Sequence, residues 1–83
     1  MSSEVSYQTL IDKTNKDLND IIIEYDELFK DSENENIKNT RAFLGICQTE
    51  MAKNKATLSE IKAVDILIQL TKVLFILKRA KKK

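Results

Sequence analysis

A chain of 83 residues with no proline and one glycine, Gly45, has almost nothing with which to break a helix or form a tight turn. Long helices follow, and the hydrophobic spacing says where they run. From Tyr7 to Leu28 the residues Tyr7, Ile11, Thr14, Leu18, Ile21, Tyr25 and Leu28 alternate steps of four and three, the spacing of a coiled-coil seam. Leu10, Ile22 and Phe29 widen that seam on one flank, and Asp12, Lys16, Asp20, Glu24 and Glu27 lie on the wet side. The run Asp31-Ser32-Glu33-Asn34-Glu35-Asn36 has no apolar residue and reads as a loop.

Beyond it, Ile37, Thr40, Phe43, Leu44, Cys47 and Met51 form one stripe of a second helix, a face suited to a core. On the opposite side stand Ala42, Gly45, Thr49, Ala52 and, if the helix runs on, Ala56, small enough for another backbone or a flat ligand to come close. Equally, alanines are good helix formers on an exposed face, although a glycine in mid-helix costs up to ~1 kcal/mol relative to alanine. Thr57-Leu58-Ser59-Glu60 is a capping box and predicts a third helix from Leu58, after a short bend around Lys53 to Ala56. The expected fold is all-α, a three-helix bundle or helical hairpin with coiled-coil-like packing, the helices covering about 4–30, 37–54 and 58–80. Residues 1–83 make a single domain, with 78–83 a basic C-terminal tail.

The third helix constrains behaviour most. Between Ile61 and Leu77, twelve of seventeen residues are apolar, and Lys62, Asp65, Gln69 and Lys72 crowd onto one narrow stripe. The remaining apolar arc spans roughly 200°, where a helix packing on one partner shows nearer 100°. A membrane span needs about 20 mainly apolar residues, and Asp65 and Lys72 interrupt this segment too soon. A chain this short buries only about 60–65% of its unfolded surface. One cysteine and no histidine rule out an intrachain disulfide and any ordinary zinc site. Self-association through helix three is the expected remedy, with Leu67, Leu70, Val73, Leu74 and Leu77 as interface residues.

Net charge is only +1, but it is unevenly spread. Residues 1–36 carry ten acids and three bases, a net of −7, and residues 37–83 carry three acids and eleven bases, a net of +8. These halves attract within one chain or head-to-tail between chains. Lys78-Arg79-Ala80-Lys81-Lys82-Lys83 ends the chain as a solvated tail or a contact for the phosphates of nucleic acid or lipid. Lysine, isoleucine and asparagine supply 28 residues, a bias typical of AT-rich coding sequence and pointing to a phage or a low-GC bacterium. No apolar run opens the chain, so no secretion signal is expected and the protein is expected in the cytoplasm, that of the host if phage-encoded.

Catalysis lacks its usual groups: no histidine, no glycine-rich phosphate loop, no serine or cysteine with an activating neighbour. Cys47 lies on the core stripe and reads as a packing residue. The chain is therefore expected to be non-enzymatic and to need no cofactor or metal.

Binding remains. Lys38, Arg41, Lys53 and Lys55 border the small-residue side of helix two, which suits an anionic, flat ligand touching Gly45 and Thr49. The stretch Phe43-Leu44-Gly45-Ile46-Cys47-Gln48-Thr49-Glu50-Met51 resembles a segment of phage sponge proteins that sequester cyclic-nucleotide immune signals, in which a Trp-Leu-Ala-Ile pattern is followed by Thr and an acid. Tyr7 and Leu10 resemble that family's Tyr-x-x-Leu opening. Asn54 and Ala56 depart from it, standing where the family has glycine and methionine. The resemblance implies a ligand-sequestering, anti-defence oligomer, a nucleotide-like ligand, and Tyr7 as the side chain that stacks on a base. Two other readings stand beside it. A cytosolic protein-binding regulator is similar in architecture to bacteriocin-immunity proteins, and Thr57 to Leu74 resembles the last helix of phage DNA-packaging small subunits, which implies nucleic-acid binding.

Overall fold

The computed structural model describes residues 6 to 81. They form three helices, α1 (Tyr7–Phe29), α2 (Glu35–Ala52) and α3 (Leu58–Lys81), with no strand among the described residues. The bundle is elongated, 49 × 23 × 17 Å.

Caps fix where each helix begins and ends. Ser6 is in the extended region, and its hydroxyl accepts from the Thr9 amide at 3.1 Å, so α1 starts at Tyr7; positions 4 and 5, where the expected helix began, lie outside the described residues. Asn34 accepts from the amides of Asn36 and Ile37 at 2.8 and 3.2 Å, which starts α2 at Glu35, two residues before the first apolar position. The predicted loop is shorter for that reason.

Asn54 takes the left-handed conformation, φ 63°, just past the C-cap Lys53, and its amide reaches back to the Met51 carbonyl at 3.1 Å. Asparagine tolerates that region better than most residues, so α2 stops cleanly without glycine or proline. Asn54→Gly is expected to hold or slightly raise the thermal midpoint, and Asn54→Val to lower stability by about 1–2 kcal/mol, as read from urea unfolding curves. The capping box forms as the sequence predicts. The Thr57 hydroxyl accepts from the Glu60 amide at 3.1 Å, and the Glu60 carboxylate accepts from the Thr57 amide at 2.8 Å. α3 continues to Lys81, so Lys78 to Lys81 are its last turn; Lys82 and Lys83 lie outside the described residues.

α1 is the shared wall, packing against both α2 and α3, which touch one another little. Its predicted seam supplies Ile11, Thr14, Leu18, Ile21 and Tyr25 to the core, with Ile22 beside them. Leu44, Cys47 and Met51 of α2 and Ile61, Ile68 and Phe75 of α3 close on that row, and Ala56 caps it. Phe43 departs from its predicted core role and is 50% exposed. On a 100° per residue wheel it sits about 70° from the centre of the buried stripe, at the edge facing the open groove between α2 and α3.

Aromatic rings join all three helices at one end. Tyr25 lies 4.8 Å from Phe29 and 6.1 Å from Phe75 between ring centres, and its hydroxyl donates to the Ile37 carbonyl at 2.8 Å. At the other end, the Tyr7 hydroxyl donates to the Ala56 carbonyl, while Gln8 and Asn54 exchange amide hydrogen bonds at 2.9 and 3.1 Å. These contacts tie the α2–α3 turn to the first turn of α1. The charge asymmetry is partly satisfied within the chain, because Arg41 of α2 reaches Asp26 at 2.6 Å and Arg79 of α3 pairs with Glu24. Both are surface pairs and contribute about 0–1 kcal/mol each.

Candidate functional site

α3 carries two apolar faces. One packs inward: Ile61, Ile68, Thr71 and Phe75 are buried, and Val64, Leu67 and Leu74 are packed partly against the core. The Thr71 hydroxyl avoids a buried unpaired donor by bonding to the Leu67 carbonyl at 2.8 Å. The second face looks away from α1. Ile66, Leu70, Val73, Ile76 and Leu77 are between 51% and 64% exposed, a contiguous ridge nearly opposite the buried one. One flanking helix covers one side of a cylinder, which is why an arc of 200° is only half used. Large contiguous apolar patches are uncommon on monomers and mark interaction sites.

Of the predicted interface residues, Leu70, Val73 and Leu77 stand on the open ridge, whereas Leu67 and Leu74 sit on its inner flank, half-covered. Ile66 and Ile76 belong to the ridge and were not singled out by sequence reasoning. The step of four from Ile66 to Leu70 was the available signal for the first.

The predicted ligand residues are not brought to one place. Lys38 and Lys53 are separated along α2 by about 22 Å of helix rise. Tyr7 is at the start of α1, engaged with the Ala56 carbonyl. Three of the four cations that border α2 are paired: Lys38 with Glu33 at 3.5 Å, Arg41 with Asp26, and Lys53 with Glu50 at 2.9 Å. Thr49 turns its hydroxyl onto the Gly45 carbonyl at 3.1 Å. A Cβ built at Gly45 would meet only the end of the Arg41 side chain at 3.4 Å, so no neighbouring backbone within the chain requires a glycine there.

Beside this stripe lies a polar hollow of about 410 Å³ lined by Asn15, Asn19, Gln48, Thr49 and Ala52. Gln48 donates to Asn19 across it, and the Asn15 side-chain carbonyl oxygen is buried without a partner. The sequence held no periodic signal for this cluster, because Asn15 and Asn19 lie on the edge of the α1 seam and Gln48 comes from α2. Two apolar hollows mark the ends of the groove between α2 and α3. One, of about 240 Å³, includes Phe43, Ile46 and Ala63, and the other, of about 600 Å³, includes Phe29, Ile37, Leu74 and Leu77.

Cys47 is buried, and that burial pushes its thiol pKa up, which disfavours the nucleophilic thiolate. The basic end of α3 is partly engaged: Lys78 lies 5.5 Å over the Phe29 ring, and Arg79 is held by Glu24. No described helix is long and apolar enough to cross a membrane. Comparison with known families, with characterised proteins and with solved structures finds no significant match, so the chain's own geometry carries the functional argument.

Proposed function

We propose that the chain is a non-enzymatic binding protein that works by burying the outer ridge of α3 against another protein chain. Its setting is that of a phage or mobile-element accessory factor which sequesters or blocks its target. The observation that carries the reading is the ridge itself: Ile66, Leu70, Val73 and Leu77 lie in line on a helix whose opposite face already supplies the core. Burying one such side chain is worth roughly 1.5–3 kcal/mol, so four left in water forgo more than a domain of this size can easily spare.

The alternative of an anionic ligand on the small-residue side of α2 has less support, since Lys38, Arg41 and Lys53 each face a carboxylate of their own chain. Phosphate contact by the end of α3 is weakened in the same way, Arg79 being paired and Lys78 stacked.

A photo-crosslinking side chain at position 70, in the cells that make the protein, tests the reading. Irradiation should link position 70 covalently to protein, and the same group at exposed Asp12 on α1 should give no comparable adduct. Equal yields from the two positions, or none from position 70, would overturn it.

A further inference from the structure

We infer that the chain covering the ridge of α3 is a second copy of this protein, laid antiparallel about a twofold axis between Leu70 and Val73. The inference rests on the reading that this face binds protein, and it names the partner.

The argument comes from the order of residues along the ridge. Ala63, Ile66, Leu70, Val73, Leu77 and Ala80 are all exposed and follow one another at steps of three, four, three, four and three. That spacing is a coiled-coil seam about 26 Å long. It also reads the same from either end, in spacing and in size: small, four large, small. A twofold interface uses one patch twice and must be complementary to itself. Reversing a second copy sets Ala63 against Ala80, Ile66 against Leu77, and Leu70 against Val73, each pair alternating the two seam positions as antiparallel helices require. The alanines at both ends let the helices approach closely where a large residue would splay them.

Charge selects the antiparallel direction. The first half of α3 carries Glu60, Lys62 and Asp65, while the second carries Lys72, Lys78, Arg79 and Lys81. A parallel pair would stack the basic ends together. Reversed, each basic end lies beside the less basic start of the other helix. Glu60, Leu67, Leu74 and Lys81 recur every seven residues along one flank, and the twofold keeps that flank on the same side in both copies. Lys81 of one copy then comes level with Glu60 of the other to within about two residues of rise, at both ends of the seam. On the same flank, Leu67 of one copy falls beside Leu74 of the other, covering the surface both leave open in a single chain.

Sedimentation velocity and cysteine crosslinking of the full chain test this, with Cys47→Ala as background. Wild type is expected to sediment at twice the chain mass. Ala63→Cys mixed with Ala80→Cys should give a disulfide-linked pair on mild oxidation, and neither variant alone should link, since two copies of the same position stand about 26 Å apart. Linkage of Ala63→Cys to itself would overturn the antiparallel arrangement. Wild type that stays monomeric at its highest soluble concentration would overturn the second copy. If position 70 still crosslinks to another protein in cells, the protein-binding reading outlives that result; if it crosslinks to nothing, both fall.

Discussion

Tyr25→Ala should abolish the cooperative unfolding transition at 25 °C. Tyr25 is 1% exposed, packs on Phe29 and Phe75, and bonds the Ile37 carbonyl, so one side chain holds α1, the start of α2 and the end of α3 together. Truncating a large buried aromatic costs about 3–5 kcal/mol, and a single core of this size supplies about that much in total. Circular dichroism melts should show residual helix without a sigmoidal transition. Tyr25→Phe keeps the ring and loses one hydrogen bond, so it should cost only about 0.5–1.5 kcal/mol. Burial also pushes the phenol pKa above its ordinary value, against smaller opposing effects of Thr40 and Arg41. An acid whose pKa is raised on folding is stabilising in its neutral form. Its contribution is complete below about pH 10 and is lost as pH rises through the raised value. Thermal midpoints should therefore fall on the alkaline side more steeply for wild type than for Tyr25→Phe.

Leu70→Lys should separate folding from association. Leu70 is more than half exposed in the single chain, so the change should move monomer stability by no more than about 0.5 kcal/mol. In the paired state it removes two central leucines and sets two lysines at the seam. At roughly 1.5–3 kcal/mol per leucine, the dissociation constant should rise at least about 10²- to 10⁴-fold. The wild-type melting temperature should climb with protein concentration, as for any folded state stabilised by a partner, and that of Leu70→Lys should not.

Much of the fold was legible because its causes are local. The capping box at Thr57 and Glu60 and the steps of four and three along α1 need no tertiary information; the box forms as predicted and the seam does from Ile11 to Tyr25, while its ends differ, Tyr7 being nearly half exposed and Leu28 only partly buried. Starts and stops set by single side chains were harder to read. Ser6 and Asn34 each stand among several residues able to cap, and only the hydrogen bonds they make select them. Asn54 is likewise one polar residue in a polar stretch until its left-handed φ identifies the turn. Phe43 was misplaced because a wheel locates the centre of a face better than its edge, and the edge depends on how far α2 stands from α3.

At the candidate site, the surplus of apolar surface on the third helix could be read from composition, but the division between its inner and outer residues could not. Leu67 and Leu74 turn inward by about 60–100° from the ridge centre on a helical wheel, and that depends on which side α1 occupies. The basic residues bordering α2 were individually visible, while their carboxylate partners came from the loop and from α1 as well as from α2 itself.

Side-chain footprinting measures most directly whether the outer ridge of α3 is covered in the working state. Photochemical labelling would be compared between protein in the producing cells and purified protein diluted until it is monomeric. Ile66, Leu70, Val73 and Leu77 should be protected in the cells and labelled on dilution, while Ile23, equally exposed on α1, should be labelled in both. Equal labelling of the four ridge residues in the two samples would contradict the account.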